Sequence, residues 1–574
     1  MYTTGYVRAG GGRFDARAWI DRGSETATIF DAARADSSMT RIAGLASNRG
    51  RNLLNLAATL DVEFAVVLTN REGAPVVEDA AERGIQTETV VRDEGESRRE
   101  HERRVLEALS GYEFDLVCLD GYMRVLTGEF LSEVPTTLNV HPSLLPAFPG
   151  ADAHGQVLDA GVRVTGCTVH VVTDATDSEG EIDHAKVDSG PIVTQEPVPV
   201  YEGDTDEELK RRVLSEGEFR AYPRAVRWFA EGRVDVGSDG VRIDGDSGGT
   251  FPTRRLLSGD RAADLRYGEN PHQDAALYAE PSDGPSVVGA EQLNVGAKAL
   301  SYNNYNDADA ALSLIGEFDR PAAAVIKHAN PAGCALGDSV AEAYDRALST
   351  DPMSAFGGIV ALNRECDRET AAAITDSFKE VVVAPGYTDD ALAVLRESEN
   401  LRVLDVGEFE PYGEGESALV EKPLVGGRLV QERDAGRVSP DDLEVVTERE
   451  PTDERRETMC FAWSVVKHVK SNAIVLAEGT ETVGVGMGQV SRVDAVRLAA
   501  MKADEHAEGK GPEGTVMASD AFFPFPDGIE VAAEAGVDAV VQPGGSVNDE
   551  EVIAAAEREG MAMAFTGSRC FRHD

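Results

Sequence analysis

From Thr40 onward the chain repeatedly exchanges short apolar runs for stretches with a helical apolar period, which restricts it to a layered α/β fold. Strands are expected over 41–47, 64–69, 87–91, 115–119 and 137–140, with helices near 52–60, 76–83 and 97–110. Successive strands joined through helices must run parallel, so the spacing predicts a doubly wound parallel sheet. A further alternating strand spans 165–173, and 205–230 reads as a helical finish. Val234 to Thr250 is rich in Gly, Asp and Ser, with Asp239-Gly240 as a hairpin tip, and marks a domain boundary. At 574 residues the chain exceeds one domain, with about three as the prior from length.

Leu138-Asn-Val-His-Pro-Ser-Leu-Leu-Pro-Ala-Phe-Pro-Gly150 carries the first candidate chemistry. The prolines forbid a helix, and Asn139 and His141, two apart on a strand, face the same side. An amide donor beside an imidazole suits stabilisation of an oxyanion while a proton moves. An isolated Asn-x-His is usually a polar turn; Asp188-Ser-Gly-Pro downstream favours the catalytic reading. Upstream, Ser47-Asn-Arg-Gly-Arg-Asn-Leu53 places a glycine and a cation at a helix start. Free amides there, with Gly50 allowing close approach and Arg51 adding charge, suit a phosphate.

Composition narrows the classes. The net charge of −47 is spread along the chain and argues against nucleic-acid or membrane-surface binding. A solvated acidic surface suited to high salt accounts for it. No apolar run reaches the roughly 18 residues of a bilayer span, and the start lacks a signal pattern, so a cytoplasmic protein is expected. Six scattered cysteines argue against a disulfide framework or a zinc knuckle. Met39 directly precedes the first strand, so residues 1–39 are expected to be a mis-called start or a disordered extension.

On the Asn139–His141 and Asp188 segments, the first part resembles folate-dependent formyltransferases, closest to those acting on glycinamide ribonucleotide. The resemblance implies Asn139, His141 and Asp188 as catalytic residues, Asp177 being the alternative to Asp188 across an insertion of roughly ten residues. It implies Gly50, Arg51, Asn52 and Glu218 on the substrate. Arg99, with Arg98 as an equal alternative, and Met123, Arg124, Val125 and Leu126 would bind the carrier, 10-formyltetrahydrofolate. His154 and His170 stand where the family carries histidines, and each also suits a structural imidazole.

Six ordered blocks fill the rest: Leu265–Gln273, Lys327–Gly333, Asp351–Gly358, Lys470–Asn472, Gly488–Arg492 and Ser519–Phe525. Together they closely resemble the formyltransferase part of the bifunctional purine-biosynthesis family, which acts on aminoimidazole carboxamide ribonucleotide. Gly484-x-Gly486-x-Gly488 imitates a dinucleotide loop but lacks its strand-turn-helix context. The weakly nucleophilic aromatic amine needs a base and an oxyanion donor, groups that adjacent Lys327 and His328 supply. The resemblance implies Asn472 as a further catalytic residue. Arg266, Tyr267, Gly357, Glu380, Arg492, Phe522 and Arg569 would contact the nucleotide, and Asp527, Ser546 and Val547 the folate. It implies two cytidine-deaminase-like α/β subdomains without metal, since no Pro-Cys-x-x-Cys is present. Arg569 would enter the partner's site, hence a homodimer. The usual amino-terminal cyclohydrolase is replaced, so no inosinate formation is expected and a separate cyclohydrolase would follow. With the acidity, this arrangement resembles a fusion of salt-loving archaea.

The expected organisation is an extension over 1–39, a first formyltransferase over 40–236, a linker over 237–259 and a second formyltransferase over 260–574. Alternatives for the first are a formyltetrahydrofolate hydrolase or a decayed folate- or nucleotide-binding regulatory module.

Overall fold

The computed structural model describes residues 39–573 except 178–180, 238–239, 246–248, 281–283, 295 and 409–418. The expected extension, apart from Met39, and Asp239 of the hairpin tip lie outside the described residues. The chain divides into two compact units, Met1–Arg254 and Arg255–Asp574.

The first unit holds a seven-stranded sheet of β1 (Arg41–Ala46), β2 (Glu63–Thr69), β3 (Thr87–Thr89), β4 (Leu116–Asp120), β5 (Thr137–His141), β6 (Val164–Val171) and β7 (Ile192–Pro199), in spatial order β3-β2-β1-β4-β5-β6-β7. β1 to β5 are parallel, as expected. β6 and β7 add antiparallel to that parallel core, so the sheet is mixed. His141 at the end of β5 pairs with Thr168 in the second half of β6, and a chain that turns back beside its own strand needs no crossover.

Helices α1 (Arg51–Thr59), α2 (Pro75–Ala81), α3 (Arg98–Leu109), α4 (Gly128–Glu133), α5 (Ala153–Ala160), α6 (Asp206–Arg212) and α7 (Phe219–Ala230) surround the sheet, with a π-helical turn at Val213–Glu218. Alternate strand residues enter two cores, Ile42, Cys118 and Leu138 in one and Leu45, Leu68 and Leu119 in the other. Burial on both faces is why these strands read as continuous apolar runs. β8 (Val234–Gly237) and β9 (Gly240–Ile243) form the antiparallel hairpin expected after the domain.

The second unit runs one α/β pattern twice. A helix (Tyr302–Ile315, then Asp453–Val466) precedes a hairpin: Ala322–Lys327 with Asn330–Leu336, then Ile474–Glu478 with Glu481–Gly486. Three helix–strand steps follow, ending at Arg402–Asp405 and at Ala562–Phe565. The halves meet where Ala335 pairs with Glu481, making one twelve-stranded sheet. One core runs along a whole face, while the other face carries a separate core for each half.

The glycines at 484 and 486 serve packing. A Cβ on Gly484 would stand 2.2 Å from the Ala499 carbonyl oxygen, and one on Gly486 2.0 Å from that of Ala495. Helix Arg492–Glu505 therefore rests directly on the strand backbone. Gly486→Ala is expected to destabilise the second unit by about 1–3 kcal/mol, read as a lower urea midpoint for that unit.

Candidate active sites

In the first unit the strand order reverses between β1 and β4, the position at which open α/β sheets bind ligands. A cavity of about 670 Å³ lies at the carboxyl ends of β4 and β5 and against β6, lined by Met123 to Leu126, Asn139, His141, His154, His170 and Asp188. Asn139 and His170 are directly paired across β5 and β6, and Asn139 Nδ2 stands 3.2 Å from His170 Nε2. Asp188 lies between two imidazoles, its Oδ2 3.2 Å from His141 Nδ1 and its Oδ1 3.6 Å from His170 Nε2. Gly150 N–H donates to Asp188 Oδ2 at 2.8 Å, and His141 Nε2 is 2.9 Å from the Phe148 carbonyl oxygen. Burial raises the Asp188 pKa, but the His170 hydrogen bond, the His141 charge and the Gly150 amide outweigh it and hold the carboxyl below its usual range. Asp188 has φ 56°, strain that aims its carboxylate inward. Asp177 instead accepts the Glu181 amide at 3.0 Å and does not line the cavity.

Arg99 is corrected. It is 3.7 Å from Glu129 and does not line the cavity, whereas Arg98 does, donating to the Val125 carbonyl at 3.1 Å. Arg92 and Arg124 line the same wall. His154 has a buried, unpartnered Nε2; burial and the Lys210 charge hold its pKa below the ordinary histidine value.

The Ser47–Leu53 loop turns at Gly50, whose φ is 55°; a Cβ there would meet Val76 Cγ2 at 2.4 Å, so only glycine fits. The amides at the start of α1 are not all free, because Asp120 Oδ2 accepts Asn52 N–H at 2.8 Å. Asn52 and Glu218 are hydrogen-bonded to each other. The Asn52 amide donates to Asp120 Oδ1 at 3.1 Å and to Glu218 Oε2 at 2.5 Å, and both side chains are buried outside the cavity lining. Burial pushes Glu218 up to about 7, the Asn52 hydrogen bond opposing and the Asp120 charge adding to the push.

In the second unit Lys327 ends a hairpin strand, and the two-residue turn is His328-Ala329, with φ 52° and 59°. Such turns ordinarily take Asn-Gly. Asp307 holds this strained pair, accepting the His328 and Ala329 amides at 3.2 and 2.8 Å. Lys327 Nζ donates to the Phe356 carbonyl at 2.9 Å, beside Gly357, where a Cβ would approach Nζ to 3.0 Å. Buried Lys379 stands nearby; desolvation, then the Lys327 charge, lower its pKa to about 8.

Asn330 links this turn to the next block, its Oδ1 accepting the Lys470 amide at 3.0 Å. The Ser471–Asn472 peptide is cis. Asn472 Oδ1 accepts from Arg492 at 2.7 Å, and Arg492 also pairs with buried Asp520. A cavity of about 510 Å³ joins Asn472, Arg492, Phe522, Asp527 and Arg569.

The other expected residues lie outside that lining. Lys327 ends the hairpin strand, His328 is in the turn, and Gly357 lies beside Lys327 Nζ. Glu380 accepts from Asn304 at 2.9 Å, Arg266 stacks on Tyr267 at 4.6 Å, Ser546 accepts the Asn548 amide at 3.2 Å, and Val547 is fully exposed.

The formyl transferase family matches residues 40–226, and the AICARFT/IMPCHase bienzyme family matches 228–502. The bifunctional purine biosynthesis protein PurH of Roseobacter denitrificans is 48% identical over 65% of this chain and 69% of its own length. The chain belongs to the AICARFT/IMPCHase bienzyme family. PurH of Dinoroseobacter shibae is 54% identical, covering 56% of this chain and 62% of that protein. The chain thus spans about two thirds of the length of the curated relatives it matches. Glycinamide ribonucleotide transformylase 1 of Symbiobacterium toebii is a similar solved structure, 44% identical over 36% of this chain and 94% of that chain, with a TM-score of 0.33.

Formyl transfer is common to both family descriptions, and the chain is an enzyme of that class. Two expectations are not supported. The relatives named here do not point to salt-loving archaea. The family is described as a bienzyme including IMPCHase, against a chain without cyclohydrolase activity. Among the described residues no helix is long and apolar enough to cross a membrane, and no group of three or more His, Cys, Asp or Glu is placed to hold a metal.

Glu218 gives a pH prediction. Its folded pKa of about 7 exceeds the ordinary 4.5, so between those values the native state binds more protons than the unfolded one. Stability therefore falls as pH rises through that window, by about 3 kcal/mol at most. Glu218→Gln, which still accepts from Asn52, is expected to remove that component, so its urea midpoint for the first unit changes less than wild type between pH 5 and 8.

Proposed function

We propose that the chain transfers the formyl group of 10-formyltetrahydrofolate to two amines of purine biosynthesis: glycinamide ribonucleotide in the first unit and 5-aminoimidazole-4-carboxamide ribonucleotide in the second. The observation that carries the first assignment is Asp188 set between His141 and His170 beside Asn139. The amine nitrogen bonds the formyl carbon, and the carrier's carbon–nitrogen bond then breaks. Asn139 donates to the oxyanion that forms, His141 moves the amine proton, and Asp188 orients and charge-balances the imidazole. Met123 to Leu126 line the pterin site, while Arg98 and Arg124 face the carrier's carboxylates. Gly50, Arg51 and Asn52 meet the substrate phosphate, and Glu218 its ribose.

In the second unit Lys327 and His328 supply the base and the oxyanion donor, with Asn472 as the third catalytic group. Arg266, Tyr267, Gly357, Glu380, Arg492, Phe522 and Arg569 hold the nucleotide, and Asp527, Ser546 and Val547 the folate. Arg569 reaches a partner's site in a homodimer built through this unit. The working regions are 40–236 and 260–574, joined by 237–259.

A two-substrate assay tests this reading. Asn139→Ala and Asp188→Asn are expected to lower glycinamide ribonucleotide formylation by about 10²–10³ and to leave the second activity intact; Lys327→Ala and His328→Ala should do the reverse. A single substitution abolishing both activities, or a wild type formylating neither amine, would overturn it.

A further inference from the structure

Lys327 and His328 are neighbours in sequence, and a plain strand would part them. Val325 and Ile326 enter opposite cores, so the same alternation would send Lys327 and His328 to opposite faces. The left-handed backbone of the turn, with φ 52° at His328 and 59° at Ala329, ends that alternation. Neither residue is glycine, and a left-handed residue with a Cβ is unfavourable on its own. The turn therefore needs an external hold.

Asp307 supplies it. Its carboxylate oxygens take one amide each, Oδ2 that of His328 at 3.2 Å and Oδ1 that of Ala329 at 2.8 Å. Bonds from a backbone amide to a charged oxygen are about twice as strong as neutral ones. The other side of His328 is held by Asn330, whose Nδ2 donates to the His328 carbonyl at 3.1 Å while its Oδ1 accepts the Lys470 amide at 3.0 Å. Both backbone groups of His328 are thus engaged. Asp307 stands on helix Tyr302–Ile315, three residues after Asn304, which donates to Glu380 at 2.9 Å. Positions three apart share a helix face, so one face of this helix holds both the turn and Glu380.

We infer that Asp307 is a positioning residue for formyl transfer in the second unit: it keeps the turn in the left-handed form that brings His328 round to the side on which Lys327 works. The inference rests on the reading of Lys327 and His328 as the groups that act on 5-aminoimidazole-4-carboxamide ribonucleotide. Asp307 acts through His328, so its loss should lower turnover and leave binding of the ribonucleotide in place.

The test measures formylation of that ribonucleotide by the full chain. Asp307→Ala is expected to lower kcat about 10²-fold, the cost of a small misplacement of a reacting group, with KM for the ribonucleotide nearly unchanged. Asp307→Asn, which keeps the shape and one acceptor, should lose less. Adding Ala329→Gly to Asp307→Ala should recover about tenfold, because glycine adopts φ 59° without steric cost. In a His328→Ala background Asp307→Ala should cost no more than about twofold, since residues acting through one group are not additive. A loss in that background as large as in wild type, a kcat unchanged by Asp307→Ala, or no recovery with Ala329→Gly would overturn the inference. A wild type that does not formylate this amine would overturn the functional reading of the unit, and this inference with it.

Discussion

The register of β5 against β6 governs the first site. It sets Asn139 opposite His170 and His141 opposite Thr168. Thr168 then pins the proline loop, its hydroxyl accepting the Leu145 amide at 2.9 Å and donating to the Ser143 carbonyl at 2.7 Å. A slip of one residue would turn every side chain on the strand to the other face, sending Asn139 and His141 into the core and Leu138 out of it. The buried Leu138 therefore holds the face of the candidate site in place along with the polar contacts.

The second unit shows how one topology serves two purposes. Asn363 and Asp520 each follow the first strand after the hairpin, Ile359–Leu362 and Val516–Ser519. Asn363 accepts the Ala322 amide at 2.7 Å, and Asp520 accepts the Ala473 amide at 3.1 Å, so both fix the entry to their hairpin. Asn363 uses its amide group on the Phe318 and Arg320 carbonyls, a neutral and closed arrangement. Asp520 instead pairs with Arg492, which reaches Asn472. A position that is structural in the first repeat carries charge to a candidate site in the second.

Much of this was legible in the sequence because it rests on local periodicity. β1 to β6 and α1 to α3 lie close to their expected limits, while β7, α4 and α5 carried no such expectation, and Asn139, His141 and Asp188 do converge. Helical phase separates the two arginines of α3: Arg98 lies three and seven residues before His101 and Val105, on the buried face, whereas Arg99 is turned toward Glu129. Other features have no local signature. Asp307 holds a turn about twenty residues away in sequence, and Asp120 and Glu218 meet only through Asn52. The reversed direction of β6 depends on where a proline-rich connection emerges, which no apolar period encodes.

The side-chain-free seat at Gly484 and Gly486 reaches beyond its own strand. Helix Arg492–Glu505 lies at backbone contact distance, and its first residue is the guanidinium that bridges Asp520 and Asn472. With no intervening methyl to compress, the spacing of helix and sheet is set by hard atoms, and so is the reach of that cation. Two absent side chains thus act as a gauge that fixes how far a positive charge projects toward the cavity.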